Sequence, residues 1–251
     1  MNVEVCLRKL VLRREGGAIV NRNTAKLVAA GSAGAALAAY SLLIRPWHLK
    51  WGATEAELHE PLPGDDVVPH PRQEATHAIT IDAPVADVWP WLVQMGQNKG
   101  GFYSYSFLEN LAGCDIHNAK RIVPEWQTLR VGDVLWLHPK APPLPVLLVE
   151  PGHAIVFGGV GEPGDECARA GTWAFVLKEL DPVTTRLVVR IRWNPAPGLL
   201  NLLYSYAVLE PAHFVMERRM MLGIKERAES LARRQIESPV KAAAAVSGQN
   251  E

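Results

Sequence analysis

Cysteine is scarce in this chain. Cys6, Cys114 and Cys167 are the three present, too few and too scattered for a disulfide framework or a structural zinc site. Only Cys114 and Cys167 are candidates to pair, and the sequence leaves that open. An excess of one charge is also missing, since 26 Lys and Arg meet 26 Asp and Glu. With no basic surplus to displace counterions from phosphates, a nucleic-acid partner is not expected. No glycine-rich loop follows a strand and ends in Lys-Ser or Lys-Thr. Gly96-Gln-Asn-Lys-Gly-Gly101 follows a helix pattern instead, so nucleotide binding is set aside in favour of a turn or a gate. Repeats at solenoid spacing are absent too. Neither a cofactor nor a metal is expected.

What remains is the balance of a globular protein. The 251 residues are 48% hydrophobic and 21% charged, which excludes a disordered, collagen-like or polytopic membrane chain and is ample for a core. The neutral total conceals a division. Residues 1–26 carry Arg8, Lys9, Arg13, Arg14, Arg22 and Lys26 against Glu4 and Glu15, a net +4, so the remainder carries −4. Residues 27–44 are an uncharged run closed by Arg45 and Pro46, at the lower edge of membrane-spanning length. Gly31, Ser32 and Gly34 weaken it on insertion scales, while Trp47 and Trp51 stand where interfacial aromatic anchors would. A single transmembrane anchor over 27–44 is the expectation, with a cleaved signal segment and an Ala-rich soluble helix as alternatives. The basic N-terminal segment would then stay inside, with the main domain on the extracytoplasmic side of the cell membrane.

Residues 45–72 shift to Pro, Gly, His and acid, and Pro61, Pro63, Pro69 and Pro71 make them read as an extended linker. A ligand-binding domain is expected over 73–236 and a flexible tail over 237–251. Within the domain, residues 77–82 alternate as a strand with Ile79 and Ile81 on one face. Val88, Trp89, Leu92 and Met95 recur at helical spacing between Pro84 and Gly96, with Pro90 expected to kink that helix. A short helix is expected over 104–111, with Phe107, Leu108 and Leu111 sharing a face. Strand-like runs follow at 133–138, 146–150, 154–157, 171–180 and 185–194. Arg186, Arg190 and Arg192 share one face of the last run, either solvated or docking anionic lipid headgroups. Residues 212–235 form a helix with Phe214, Met221, Ile224, Ala228 and Leu231 on one stripe and Glu217, Arg218 and Arg219 on a solvated flank. This order predicts an α+β fold, an antiparallel curved sheet wrapped around a long C-terminal helix, with an apolar chamber between them.

Several passages together carry a resemblance. They include Trp51-Gly-Ala-Thr, Leu62-Pro-Gly-Asp-Asp66, Ile81-Asp-Ala-Pro84, Val88-Trp-Pro-Trp-Leu-Val-Gln-Met-Gly96 and Gly101-Phe-Tyr-Ser-Tyr105. Glu109-Asn-Leu-Ala-Gly-Cys-Asp-Ile-His-Asn118, Ile122-Val-Pro-Glu-Trp126, Val131-Gly-Asp133 and Met216-Glu-Arg-Arg-Met-Met-Leu-Gly-Ile-Lys225 complete the set. In these the chain resembles the START-like (SRPBCC) superfamily of polyketide cyclases and lipid-transport proteins, and in particular bacterial members with an N-terminal hydrophobic segment. The resemblance implies a helix-grip fold and a hydrophobic-ligand chamber. It does not imply an activity, because one fold hosts many functions.

The expected function is binding, and possibly transport, of a lipid, isoprenoid or polyketide-like molecule beside the membrane. Trp89, Phe102, Tyr103, Tyr105, Trp126, Trp173, Met220 and Met221 are the candidate ligand-binding residues, on aromatic and adaptable side chains in core elements. The alternatives are a cyclase or dehydratase using general acid–base catalysis and a partner-binding accessory domain. For the enzyme, Glu109 and His117 are the candidate catalytic pair, with Tyr103, Tyr105 and Glu125 also available. The plainer role of these groups is to satisfy loop backbone and orient Trp126. Cys114, Asp115 and His117 do not complete a tetrahedral metal set, and no oxyanion hole is legible for a Cys114 nucleophile.

Overall fold

The computed structural model describes residues 22–159, 171–195 and 197–247. Cys6 and Cys167 lie outside them, so the pairing of Cys114 with Cys167 does too; Cys114 itself is buried and free among the described residues. The chain forms two compact units, residues 1–46 and 47–251. In the first, helix α1 (Arg22–Ala39) runs into a π-helical turn, Tyr40–Ile44. No described helix is long and apolar enough to cross a membrane, so the span expected over 27–44 is not found as one. Its Ala, Gly and Ser content holds the hydropathy down, although Leu27, Val28, Leu42, Leu43 and Ile44 are exposed.

A short turn, α2 (Arg45–His48), crosses into the second unit, where α3 (Glu55–His59) precedes the first strand. The strands are β1 (Gln73–Ile81), β2 (Val134–Leu135), β3 (Leu144–Glu150), β4 (Ala154–Gly159), β5 (Gly171–Asp181) and β6 (Thr184–Trp193). They make one antiparallel sheet in the order β1-β6-β5-β4-β3-β2. The last five form a meander, and β1 lies along β6, with Gln73 opposite Trp193 and Ile81 opposite Thr185. Between β1 and β2 come α4 (Val85–Val93), which runs through Pro90, and α5 (Ser106–Leu111); after β6 come α6 (Leu199–Tyr204), a π segment Ser205–Leu209, and the long α7 (Glu210–Ser247). The α+β class and the sheet-plus-C-terminal-helix arrangement are as expected and consistent with a helix-grip fold.

Alternation explains the inner core. Ile79 and Ile81 of β1, Phe175 and Leu177 of β5, and Leu187 and Val189 of β6 turn one way and meet Met220, Met221, Ile224 and Ala228 of α7 in a single cluster. Each such side chain contributes about 1.5–3 kcal/mol on burial. The intervening Ala78, Val176 and Val188 turn the other way and are buried as well, under Leu62. The sheet is therefore covered on both faces, which accounts for the near-continuous apolar run of β5.

The cover of the outer face is the stretch expected to be extended. Thr54 starts α3 with a reciprocal capping box to Glu57. Glu57 then receives both Nε and Nη2 of Arg186, at 2.7 and 2.8 Å. Arg190, 3% exposed, reaches Asp65 at 2.6 Å and donates to the carbonyls of Glu57, Leu58 and Glu60. Arg192 pairs with Glu74 at 2.6 Å and Asp65 at 3.4 Å. The arginine row is thus neither solvated nor open to lipid headgroups, because the acidic residues of 55–74 neutralise it. A second correction concerns α5. The expected apolar face points outward, with Phe107 75% and Leu111 76% exposed, while Glu109 is buried.

Candidate functional site: a chamber between sheet and helix

Between the inner face of the sheet and α7 lies a chamber of about 350 Å³. Phe102, Trp173, Ile191, Met216 and Met220 supply apolar wall, and Glu109, His213 and Glu217 bring charge to it. Local structure fixes the wall. Gly96 and Gly101 exchange backbone hydrogen bonds of 3.0 and 2.9 Å, closing the glycine loop as a turn rather than a gate. The chain then crosses α7 at Gly223, where a Cβ would stand 2.2 Å from the Tyr103 carbonyl oxygen, so only glycine admits this approach. Asn118 accepts from the Tyr103 amide at 2.6 Å and donates to the Ser104 carbonyl at 3.1 Å. The Ser104 hydroxyl donates to the Met216 carbonyl at 2.8 Å. This clamp holds the start of α5 against α7 and delivers Glu109 inward.

Glu217 is fully buried, and both of its carboxyl oxygens have nitrogen partners. Trp173 Nε1 donates to Oε2 at 2.7 Å, His213 Nε2 lies 2.8 Å from the same oxygen, and His77 Nδ1 lies 2.5 Å from Oε1. His77 Nε2 faces the His48 carbonyl oxygen at 2.7 Å, an acceptor only, so that nitrogen carries a hydrogen. Burial by itself would raise the Glu217 pKa, yet the adjoining His213 and His77 hold it below the ordinary carboxylate range.

Glu109 is the opposite case. Its Oε2 is buried without a hydrogen-bond partner, and the residue lines the chamber, as Asp87 and Trp91 do not. Burial pushes its pKa up to about 7. Burial, and then the nearby Glu109 charge, also raise the Cys114 thiol, leaving it a poor nucleophile.

Of the residues singled out from sequence, Phe102, Trp173, Met220 and Glu109 line the chamber. Tyr103 and Met221 are core residues outside its lining, the Tyr103 hydroxyl donating to the Trp91 carbonyl at 3.0 Å. Trp89 and Trp126 are half-buried, and Tyr105 is exposed. His117 is exposed and pairs with Asp115 at 3.2 Å, so the structure does not bring it to Glu109. Among the described residues no group of three His, Cys, Asp or Glu side chains is arranged to hold a metal ion.

His77 and His213 escaped the sequence reading, and Glu217, expected on a solvated flank, is buried instead; two signals for this were there. His77 continues the alternation of Ile79 and Ile81, which places it on the inner face. Glu217 falls three residues after Phe214 and four before Met221, inside the apolar stripe of α7, with His213 one turn back.

No protein family matches the chain, and no curated protein is similar to it. Solved structures are similar only distantly. A protein of Mesorhizobium loti is 14% identical, with 63% of this chain and 98% of that chain covered, at a TM-score of 0.37. CalU16 of Micromonospora echinospora is 15% identical over 66% of this chain and 88% of that chain, at 0.29. DynU16, a protein of the dynemicin biosynthetic locus, is 15% identical over 60% of this chain and 46% of that chain, at 0.35.

Proposed function

We propose that the second unit binds a small, largely apolar molecule with a polar head in the chamber between sheet and α7. The observation that carries this reading is the chamber itself, whose apolar walls end in Glu109, His213 and Glu217. Its volume of about 350 Å³ lies at the lower end of small-molecule pockets, about 300–1,000 Å³. At about 30 Å³ per water-sized group, it encloses on the order of a dozen heavy atoms. That suits a ring system or a short isoprenoid or polyketide-like fragment. The test is ligand-observed NMR with 2-naphthol on the full chain and on Met216→Trp, which fills the chamber from a half-buried wall position. Saturable binding lost in Met216→Trp, with unchanged circular dichroism, is the expected result. Equal binding by both proteins would place the ligand elsewhere and sink the reading.

The same reading sets the chamber beside a membrane. Its support is apolar surface: no charged residue stands between Arg192 and Glu210, and Leu199, Leu200, Leu203, Tyr204 and Val208 are exposed there. A short uncharged helix with exposed leucines and tyrosine suits the interface of a bilayer rather than its interior. Flotation with phosphatidylcholine vesicles checks it. Retention of the full chain, weakened by Leu200→Asp with Leu203→Asp, is expected; a chain that never floats would remove the membrane from the reading.

A further inference from the structure

Two side chains that line the chamber are not fully engaged by the protein, and they are chemically complementary. Glu109 is the first. Its buried Oε2 has no partner, and α5 exposes Phe107 and Leu111 in order to turn this carboxyl inward. A helix that reverses its apolar face around one acid is breaking a local rule, and such breaks concentrate at functional positions. With a pKa of about 7, the carboxyl keeps a proton on a large fraction of molecules near neutrality and so presents an O–H donor.

His213 is the second. Its Nε2 is engaged with Glu217 at 2.8 Å, and no described residue hydrogen-bonds to its Nδ1. The adjoining histidines hold the Glu217 pKa below the ordinary carboxylate range, so it is a carboxylate and the shared hydrogen sits on the His213 side. In a neutral imidazole that leaves the lone pair on Nδ1. A carboxylate fixing one ring nitrogen so that the other serves as base is the orienting logic of hydrolase triads. The remaining charged groups nearby are engaged. Arg192 pairs with Glu74 and Asp65, and His77 sits between Glu217 and the His48 carbonyl.

Resting on the ligand-binding reading, we propose that the chamber catalyses proton transfer on a small enolisable ketone or aldehyde, with His213 as base, Glu109 as acid and Glu217 as the positioning residue. His213 Nδ1 takes a proton from the carbon beside the carbonyl, and the C–H electron pair becomes the C=C bond of the enol. The Glu109 carboxyl gives its proton to the carbonyl oxygen and becomes a carboxylate. Glu217 stabilises the imidazolium so formed. Reversal returns a proton to carbon and one to Glu109. The step is redox-neutral and needs no co-reactant.

The experiment follows deuterium incorporation at the carbon beside the carbonyl of 2-tetralone, 2-indanone and 2-decanone. It is run in heavy water with the full chain, and binding is measured by ligand-observed NMR on the same samples. A positioned acid and base predict exchange of at least one ketone on the order of 100-fold above an equal concentration of free imidazole. His213→Gln and Glu109→Gln should each lose at least about tenfold of that while still binding the ketone. Glu217→Gln should lower kcat at unchanged KM and shift the pH profile, a response that mere loss of packing would not give. Ketone bound but exchanging no faster than in buffer, or equally fast in His213→Gln, overturns the catalytic proposal and leaves the binding reading intact. If none of the three binds while 2-naphthol does, the catalytic proposal falls and the binding reading stands; if 2-naphthol fails as well, both fall.

Discussion

The two faces of one sheet treat buried carboxyl groups in opposite ways. On the outer face, Glu57 lies against the Arg186 guanidinium, whose hydrogen bonds hold its pKa down at about 2. On the inner face, Glu109 meets no cation, and burial lifts its pKa to about 7. The first arrangement favours the folded state. The second opposes it, and a fold tolerates such a cost where the group serves something other than folding. The outer face is a joint, whereas the inner face carries the chamber that we propose takes an occupant. Glu217 stands between these cases, as deeply buried as any group in the domain yet with nitrogen partners at both carboxyl oxygens.

The largest effect should come from breaking the joint. Arg190→Ala leaves Asp65 and the carbonyls of Glu57, Leu58 and Glu60 without their shared donor, and the expected loss is about 3–5 kcal/mol in urea unfolding. A loss under about 1 kcal/mol would mean that the segment over the sheet is not seated as described.

Glu109→Gln should act in the other direction. With a folded pKa of about 7 above the unfolded value, the native state binds the extra proton between about pH 4.5 and 7, so wild-type stability falls as pH rises through that window. Replacement by Gln removes the slope. The variant is expected to be more stable than wild type by on the order of 2 kcal/mol at pH 8, with no difference near pH 4. Parallel stability–pH curves for the two proteins would show that Glu109 is solvated after all.

Glu57→Gln should give the smallest change, a loss of about 1–2 kcal/mol at pH 7 through the Arg186 pair and the Thr54 capping box. Its folded pKa is depressed, so the Glu57 contribution is fully present above about pH 4.5 and fades as pH falls toward about 2. The two glutamates thus predict stability–pH slopes of opposite sign, and thermal melts at four or five pH values would read both.

Much of the fold was legible from short-range pattern. The alternation of Trp173, Phe175 and Leu177 marked β5, and the stripe of Phe214, Met221, Ile224 and Ala228 marked α7, each on the face that is in fact buried. Glu109 was a candidate acid from sequence, although the shared face of Phe107, Leu108 and Leu111 on α5 gave no sign that the acid, not that face, would be buried. The site was harder. His117 was drawn toward Glu109 by nearness in sequence, yet its ring is exposed beside Asp115. The partner set that does exist joins His77 to Glu217 across 140 residues of chain and Trp173 to Glu217 across 44.

By itself, then, the sequence determined which residues alternate, which form stripes and where turns interrupt them, because backbone period and apolar burial act over a few neighbouring residues. Only tertiary structure decided that an acidic, proline-rich stretch would neutralise the arginine row of β6. Only it turned α5 to bring Glu109 inside, and only it gathered His77, His213 and Trp173 around Glu217. Those outcomes depend on long-range packing, where a buried charge must find its partner wherever the fold happens to place one.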